Sequence, residues 1–420
     1  MSAFAQMMQN DGIDVSGSDR DTSPVIELLE KKGIHVVIPQ RTENVPEDAE
    51  IVVYSDAVPA DNPERTRAKE LGIPQFSYFQ MLGKVSKEKR TVAVAGTHGK
   101  TTVAGMLAKI LYDAGASPTA IIGSIVKDFG SNYLHGDSDT FVVEACEYRD
   151  HLLELSPKVL VINNLEWDHT DYFQSLSALQ ETFKKAIDKV PTDGVIITNL
   201  NNKNIAPLLA GAKARVIDYT KEPSFELRML GEFNQENARA AAAAARVVLP
   251  SISDSIITTS LSSFQGTWRR FEYKGESSNG ADVYDDYAHH PTAVKETLYA
   301  LRESRKATPY GDHCRILVAF HPHLYSRTRD LLDEFATAFR DADKVFIAPI
   351  YAARETDDGT ISSEILAKRI RANGVDATAF GSFDEIENAL GEAGENDVII
   401  TMGAGDIYKV ADTITAHTNK

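Results

Sequence analysis

Short runs of apolar residues alternate along this chain with segments in which apolar residues recur every three or four positions. The runs read HVVIP, EIVVYS, TVAVAG, TFVVEA, KVLVINN, GVIITN, RILVAF, KVFIAP and DVIIT. Such runs are typical of buried strands, whereas longer periodic segments such as SPVIELLEKKG and VAGMLAKILYDAG are typical of amphipathic helices. Their alternation predicts an α/β fold.

The same pattern divides the chain into three zones. The first zone ends at the charged linker SKEKR, and the third begins near Gly266. A chain of 420 residues accommodates two to four domains at about 150 residues each. We therefore expect domains over residues 1–88, 89–266 and 267–420.

The first zone contains SGSD, at Ser16–Asp19, after a segment that we interpret as an apolar strand. A carboxylate in this position of a Rossmann-like unit can meet a ribose hydroxyl. Such a unit normally begins with a strand and a glycine-rich turn, but this chain opens in the helix-like segment MSAFAQ. We expect the first domain to lack that strand and its glycine loop.

The second zone opens with AVAGTHGKTT, which resembles a phosphate-binding loop with unusual spacing. The standard spacing G-x-x-x-x-G-K-[ST] would require a glycine where Val94 stands. The loop nevertheless follows a predicted strand and precedes a predicted helix, which is the context that phosphate binding requires. We expect its N–H groups to hold phosphate oxygens, Lys100 to reach the terminal phosphates and the Thr101 hydroxyl to bind Mg²⁺.

Two strand ends in the second zone carry candidate metal ligands. Glu144 ends the strand TFVVE, and a carboxylate beside a phosphate loop can hold Mg²⁺. Asp168, His169 and Asp171 lie together in NNLEWDHTDYF, where His169 could ligate a cation or orient a ligand. On spacing alone, a loop histidine capped by a neighbouring aspartate is the more ordinary interpretation.

The third zone has two polar clusters after predicted strands. In DDYAHHPT, Asp286 could accept hydrogen bonds from ribose hydroxyls, while His289 and His290 would point in opposite directions and so would not bind one metal ion. In FHPHLYSRTRD, His323 and Arg327 could clamp a carboxylate, because arginine offers a fork of donors. A charged helix start is the alternative for this second cluster.

Charge and composition narrow the class of partner. A net charge of −17 argues against a nucleic-acid partner and against an anionic membrane surface. The two cysteines, Cys146 and Cys314, form no metal-binding or disulfide pattern, which fits a reducing compartment. Neither a membrane span nor a secretory signal is visible, so we expect a cytoplasmic protein without membrane insertion.

An ordered set of segments is more specific than any single motif. GTHGKTT, EACEYRDH, NNLEWDHTDYF, GEFNQEN, RRFE, DDYAHHPT, FHPHLYSRT, YAARE and MGAGDIY occur in this order. Together they resemble the Mur ligases, the ATP-dependent amide-forming enzymes of peptidoglycan precursor synthesis, and the short loop is the form that this family uses. The resemblance implies an N-terminal Rossmann-like domain, a central P-loop ATPase-type domain and a C-terminal Rossmann-like domain, and we expect the first domain to depart from the family by lacking its opening strand and glycine-rich loop.

The resemblance also implies a role for each matching residue. The implied ATP contacts are Gly96, Thr97, His98, Gly99, Lys100, Thr101, Thr102, Asn234, Asn237, Arg270 and Asp286. The implied catalytic residues are Lys100, Glu144, His169 and Arg270, and the implied Mg²⁺ ligands are Thr101, Glu144 and His169. On the substrate side, the implied contacts are Ser16, Asp19 and Ser55 for the uridine nucleotide, and Tyr287, His289, His323 and Arg327 for the amino acid.

The reaction that the resemblance implies uses ATP and Mg²⁺ to join L-alanine to the lactyl carboxylate of UDP-N-acetylmuramate through an acyl phosphate. Addition of the tripeptide L-Ala-γ-D-Glu-meso-diaminopimelate to the same sugar nucleotide remains an alternative, and the absence of a long insertion after EACEY favours L-alanine. A nucleotide-dependent switch without ligase chemistry is a further alternative. A switch would need only the phosphate-loop domain, so the polar clusters of the third zone argue against it.

Overall fold

The first region of the chain consists of short strands and helices. The computed structural model as a whole describes residues 1–306 and 314–416. Its elements are α1 (Ser2–Asn10), β1 (Ser16–Ser18), α2 (Pro24–Lys31), β2 (His35–Val37), β3 (Val52–Tyr54), α3 (Pro63–Glu70), β4 (Gln75–Ser77) and α4 (Tyr78–Glu88). β1 pairs with β2 and β3 pairs with β4, in two separate parallel pairs. The expectation that SGSD follows a strand is wrong, because Ser16 itself pairs with His35 in β1.

Capping residues explain where the helices of this region begin. Ser23 Oγ accepts a hydrogen bond from the Ile26 N–H at the start of α2, and Asn62 Oδ1 accepts one from the Glu64 N–H at the start of α3. α4 begins with a capping box, in which the Ser77 and Gln80 side chains each bind the backbone N–H of the other residue.

The central region forms a seven-stranded sheet. Its elements are β5 (Arg90–Ala95), α5 (Lys100–Asp113), β6 (Thr119–Val126), β7 (Ser131–Leu134), β8 (Thr140–Glu144), β9 (Val159–Ile162), α6 (Leu176–Lys189), β10 (Val195–Thr198), β11 (Arg215–Asp218), α7 (Glu232–Val248) and α8 (Asp254–Ser263). The strand order is β11-β10-β9-β5-β8-β6-β7, and all pairs are parallel except β6 with β7. β5 and β9 are neighbours in this sheet, so the loops that follow them emerge at the same edge.

The C-terminal region forms a six-stranded sheet. Its elements are β12 (Glu272–Glu276), β13 (Asp282–Asp286), α9 (Pro291–Lys306), β14 (Arg315–Phe320), α10 (Tyr325–Asp330), α11 (Leu332–Ala338), β15 (Lys344–Ile347), α12 (Ser363–Arg371), β16 (Asp376–Ala379), α13 (Phe383–Leu390), β17 (Asp397–Met402) and α14 (Tyr408–Ala416). The strand order is β12-β13-β17-β14-β15-β16, with only β12 antiparallel to its neighbour.

Side chains of β14 pack in two hydrophobic cores, one on each face of the sheet. Val318 and Phe320 pack in one core with Phe335 of α11, whereas Leu317 packs on the opposite face in a core that includes Val410 of α14. Alternation along a strand that is buried on both faces produces this arrangement. The α/β fold predicted from the apolar runs is thus confirmed.

The contacts between residues divide the chain into two compact units. Unit 1 contains Met1–Leu165, Leu179–Phe225 and Ala238–Phe264, and unit 2 contains Glu166–Ala178, Glu226–Asn237 and the chain from Gln265 onward. Two segments of the central region therefore pack with the C-terminal sheet. Within residues 1–306 and 314–416, no helix is both long enough and apolar enough to cross a membrane.

Candidate active site

The loop between β5 and α5, in unit 1, has the strand–turn–helix context that its sequence predicts. Gly96 and Gly99 adopt φ angles of +131° and +81°, which favour glycine. A Cβ on Gly96 would also lie 3.0 Å from the Asn164 carbonyl oxygen, so the backbone packs too closely there for a side chain. Gly99 precedes the 14-residue helix α5, and the N-terminus of a helix can bind an anion.

Two asparagines after β9 hold this loop. The His98 N–H donates to Asn164 Oδ1 at 2.7 Å, and the side-chain amides of Asn163 and Asn164 each donate to the His98 carbonyl oxygen at 3.0 Å. The first two residues of NNLEWDH thus fix the shape of the phosphate loop. Sequence analysis gave them no role.

The Lys100 side chain lies within its own loop. Its ammonium donates to the carbonyl oxygens of Gly96 at 2.6 Å and Thr97 at 3.3 Å, and to Glu147 Oε1 at 3.0 Å. Burial lowers the pKa of this ammonium, but nearby negative charge, that of Glu147 most of all, outweighs burial and raises the pKa above its usual value. Lys100 is therefore charged and already paired.

Thr101 and Glu144 form an oxygen-rich pair beside Lys100. Thr101 Oγ1 donates to Glu144 Oε2 at 2.9 Å, and the same carboxylate oxygen accepts from the Gly123 N–H at 2.8 Å. A hydroxyl and a carboxylate at this separation fit a hard cation, since Mg²⁺ prefers oxygen ligands. The predicted ligands Thr101 and Glu144 thus lie together in unit 1.

The three residues predicted for the uridine nucleotide lie at two strand ends of the first region. Ser16 and Asp19 are exposed, in and just after β1, and Ser55 is half-buried just after β3. Asp56, the next residue, pairs with His151 at 2.7 Å between carboxylate and imidazole. His151 stacks on Phe79 with ring centroids 3.8 Å apart, so the end of EACEYRDH packs beside this strand end.

In unit 2, Arg327 is the best-buried of the predicted substrate residues. Its Nε donates to Asp168 Oδ1 at 2.8 Å, and its Nη1 lies 3.0 Å from His323 Nδ1. The exposed fractions of the Arg327 and Asp168 side chains are 2% and 5%. Burial raises the pKa of the Asp168 carboxyl, but nearby positive charge, that of Arg327 most of all, outweighs burial and holds the pKa well below its usual range.

His169, predicted to ligate Mg²⁺, follows Asp168 in the segment 166–178. It is half-buried and adopts a φ of +52°, which is uncommon for a residue with a Cβ. Its N–H donates to Asp168 Oδ1 at 2.6 Å, which is the aspartate cap that the spacing alone favoured.

The predicted pocket histidines are neutral. Burial, followed by the charge of Arg327, lowers the pKa of His323 to about 3 and holds the pKa of His289 well below its usual range. Their rings lie 6.0 Å apart, and the Tyr287 ring lies 5.2 Å from that of His289. The four residues predicted for the amino acid therefore form one cluster in which Arg327 carries the positive charge.

Arg270 and Asp286 lie next to this cluster. The Arg270 guanidinium lies 5.0 Å from the centre of the Tyr287 ring. Asp286 accepts hydrogen bonds from the N–H groups of Phe271 and Ala288, each at 2.6 Å. Burial nevertheless raises the pKa of Asp286 to about 6, against the opposing effect of Arg270.

Arg269, rather than Arg270, is the structural arginine of RRFE. Its side chain donates to Asp285 Oδ2 at 2.8 Å and to the carbonyl oxygens of Gly403 and Gly405 at 2.7 and 2.8 Å. These contacts tie RRFE to MGAGDIY.

The two asparagines predicted for adenine are buried and mutually bonded at the start of α7. Asn237 Nδ2 donates to Asn234 Oδ1 at 3.1 Å, and Asn234 Nδ2 donates to the Leu230 carbonyl oxygen at 2.7 Å. Both belong to unit 2, with Arg270 and Asp286.

Sequence analysis missed three contacts that hold predicted residues: those of Asn164 with His98, Glu147 with Lys100 and Asp168 with Arg327. Glu147 follows Glu144 by three residues in EACEY, and Asp168 precedes His169, so both lie inside segments already quoted. Their partners are distant in sequence, and no local spacing could have identified the pairs.

Comparison with known proteins places all three regions in one family. Residues 1–90 match the Mur ligase family catalytic domain, residues 94–225 match the Mur ligase middle domain, and residues 269–405 match the Mur ligase glutamate ligase domain. A UDP-N-acetylmuramate–L-alanine ligase of Acetivibrio thermocellus is 39% identical, over 98% of this chain and 92% of that protein.

Two solved structures resemble the whole chain. The UDP-N-acetylmuramate–alanine ligase MurC of Thermotoga maritima has a TM-score of 0.80 at 26% identity, covering 100% of this chain and 96% of its own. A murein peptide ligase of Psychrobacter arcticus has a TM-score of 0.75 at 25% identity, covering 100% and 97%. With its phosphate loop in place and all three regions matched, this chain belongs to the Mur ligase family of ATP-dependent ligases.

Proposed function

We propose that this chain joins L-alanine to the lactyl carboxylate of UDP-N-acetylmuramate at the expense of ATP. The observation that carries the proposal is the Arg327 cluster, a buried guanidinium among neutral imidazoles, which suits the carboxylate of a small amino acid. The names of the relatives from Acetivibrio thermocellus and Thermotoga maritima support the same substrates. Residues 1–88 then bind the sugar nucleotide, residues 89–266 bind ATP, and residues 267–420 bind the amino acid.

The phosphate loop binds the triphosphate. The N–H groups at the start of α5 meet phosphate oxygens, and Lys100 leaves the carbonyl oxygens of Gly96 and Thr97 to contact the terminal phosphates. Adenine lies against Asn234 and Asn237. Thr101 and Glu144 are the residues that would hold Mg²⁺, which when bound would neutralise charge on the transferred phosphoryl group.

The chemistry proceeds in two transfers. The lactyl carboxylate attacks the γ-phosphorus of ATP, which forms an acyl phosphate and releases ADP. The neutral amine of L-alanine then attacks the acyl carbon, and the tetrahedral intermediate collapses to an amide with loss of phosphate and a proton. Lys100 and Arg270 stabilise negative charge that builds up in the first transfer.

The carboxylate of L-alanine has its own arginine in this scheme. Arg327 fixes the carboxylate of L-alanine, with His323 at its side, and so directs the amine toward the acyl carbon. Ser16, Asp19 and Ser55 contact the uridine nucleotide, and Asp286 contacts the ribose of ATP. Because ATP and its products are cytosolic, we place the reaction in the cytoplasm.

Transfer of a murein tripeptide is the second candidate. The likeness to the murein peptide ligase of Psychrobacter arcticus favours it, since that structure covers the whole chain with a TM-score of 0.75. Both reactions form an amide bond to the lactyl carboxylate of the same sugar nucleotide, so only the amine substrate differs.

Phosphate release with ATP and Mg²⁺ tests these candidates. UDP-N-acetylmuramate is supplied with L-alanine, with the tripeptide, or alone, and each amine is also supplied without the sugar nucleotide. Release that requires the sugar nucleotide and L-alanine together is the expected result. Release only with the tripeptide would replace the first candidate by the second, and release that needs neither substrate would contradict both.

A further inference from the structure

Asp168 holds the arginine of the predicted amino-acid pocket from a distant part of the chain. The two residues are 159 positions apart, yet Arg327 Nε lies 2.8 Å from Asp168 Oδ1. Asp168 belongs to the segment 166–178, which packs in unit 2, and its carboxylate is almost fully buried. Burying an ionised carboxylate is costly, so this contact needs the charge of Arg327 to persist.

The described contacts of Arg327 are made by Nε and Nη1 of its guanidinium. Nε is held by Asp168, and Nη1 lies against His323 Nδ1 and the His323 carbonyl oxygen. Within residues 1–306 and 314–416, Nη2 has no hydrogen-bond partner. An arginine that is fixed at two of its nitrogens presents the third in a defined direction, which is what recognition of a carboxylate requires.

We propose that Asp168 is a positioning residue for the amino-acid substrate, because it holds Arg327 Nε so that Nη2 meets the substrate carboxylate. The proposal rests on the function proposed above. Asp168 contacts Arg327 and not the reacting atoms, so its effect on the reaction passes through the guanidinium. The cluster then recognises the amino-acid substrate through its carboxylate.

The same aspartate also reaches the predicted metal-side residue. Asp168 Oδ1 accepts hydrogen bonds from both Arg327 Nε and the His169 N–H, so one oxygen joins the arginine to the backbone of His169. A general loss of loop structure in an Asp168 variant would therefore disturb the use of ATP as well as the use of the amino acid. A loss confined to Arg327 would disturb only the amino acid, and this difference can be measured.

Discrimination between L-alanine and L-alaninamide tests the proposal. The two amines differ in the carboxylate that Arg327 is proposed to read, and the ratio of their kcat/KM values reports that contact. We expect Asp168→Asn to lower this ratio by about tenfold, mainly through a higher KM for L-alanine, because a charge-assisted hydrogen bond is worth about that factor or more. The KM for ATP is expected to stay near the wild-type value.

Three further variants sharpen the test. Asp168→Glu keeps the negative charge but displaces Nε, so it protects the fold and is still expected to lower the ratio. Asp285→Asn removes another buried aspartate, one paired with Arg269, and is expected to leave the ratio unchanged even if it lowers stability. In an Arg327→Lys background, Asp168→Asn is expected to change the ratio little further, because its effect passes through Arg327.

An unchanged ratio in both Asp168 variants, in an enzyme whose wild type uses L-alanine, would overturn the role of Asp168 and leave the proposed function standing. An equal rise in the KM values for ATP and L-alanine would also overturn it, in favour of a general loop role. A wild type that releases no phosphate with L-alanine would overturn both proposals.

Discussion

Lys100 in unit 1 and Arg327 in unit 2 are both cations paired with buried carboxylates, but the two pairs leave their cations in different states. The Lys100 ammonium is surrounded by Glu147 and two carbonyl oxygens of its own loop. The Arg327 guanidinium is fixed at Nε and Nη1, and in the part of the chain that the structure describes Nη2 has no hydrogen-bond partner. Lysine is a point charge on a flexible stem, whereas arginine is a planar fork.

The difference indicates two ways of preparing a site for an anion. If Lys100 binds phosphate as proposed, the phosphate must draw it away from contacts that it already makes, and binding then includes a local rearrangement. A carboxylate can add to Arg327 without displacing Asp168 or His323. On the proposed function, the Arg327 cluster is thus preorganised for a carboxylate, whereas Lys100 exchanges partners.

The largest expected effect comes from Lys100→Ala. Loss of the charge that meets the transferred phosphoryl group is expected to lower ATP turnover on the order of 1000-fold, with the fold retained. Phosphate release and thermal unfolding measure the two quantities. Lys109→Ala is the matched control, because Lys109 lies on the same helix but pairs with Asp113 and Asp128. Turnover near the wild-type level in Lys100→Ala would remove Lys100 from the proposed site.

Arg327→Ala is expected to lower kcat/KM for L-alanine by about 100-fold and the free energy of unfolding by about 3–5 kcal/mol, because Asp168 is left as a buried, uncompensated carboxylate. Initial rates at varied L-alanine and denaturant unfolding check these values. Arg315→Ala is the control, since Arg315 is also paired with a carboxylate, that of Asp397, but its side chain is 58% exposed. Equal losses in the two variants would remove the distinction between a preorganised arginine and an ordinary surface one.

Asp286 provides a pH dependence that the lysine and arginine do not. Its pKa of about 6 in the folded protein means that the carboxylate gains a proton below pH 6. The ionised form accepts the hydrogen bonds, so we expect kcat/KM for ATP to fall about tenfold for each pH unit below this value. Because burial raises this pKa above that of the unfolded chain, the contribution of Asp286 to stability is present at low pH and is lost as the pH rises through about 6.

A pH–rate profile of wild type and Asp286→Asn checks this expectation. The variant should have a lower kcat/KM for ATP at every pH. It should also lack the fall in kcat/KM below about pH 6 that protonation of Asp286 causes. An identical limb in both proteins would assign the titration to another group or to the nucleotide.

The smallest expected effect is that of Glu147→Gln. Removing the negative charge weakens the contact that holds Lys100, so the cation moves to phosphate at lower cost. We expect the KM for ATP to fall about threefold, which corresponds to less than the full value of a charged hydrogen bond. Initial rates at varied ATP measure it. A higher KM would mean that Glu147 positions Lys100, as Asp168 is proposed to position Arg327, and the contrast between the units would disappear.

The apolar runs of the sequence predicted the fold more completely than the motifs predicted the candidate site. The runs TVAVAG, KVLVINN and RILVAF became β5, β9 and β14, because strands buried on both faces need continuous apolar sequence. Among the strands that no apolar run predicted are β1 and β12. Their sequences, SGS and EYKGE, contain no such run, and they form strands through pairing with β2 and β13.

Within the site, the residues that local context can reveal were predicted. The predicted strand before GTHGKTT and the predicted helix after it identified this segment as a phosphate loop. The predicted metal ligands Thr101 and Glu144 are in contact in the structure. The partners of the cations were not predictable, because Glu147 and Asp168 act across 47 and 159 residues of sequence. Pairs of that kind are set by tertiary packing, which periodicity does not encode.

The segment 166–178 has a practical consequence for anyone who would cut this protein into parts. It lies between β9 and α6 in the chain, but its contacts belong to unit 2. A fragment that began at residue 267, where the sequence places a domain boundary, would contain Arg327 without Asp168. Such a fragment would bury an unneutralised guanidinium, and the separately expressed C-terminal part should be less soluble and less stable than one fused to residues 166–178.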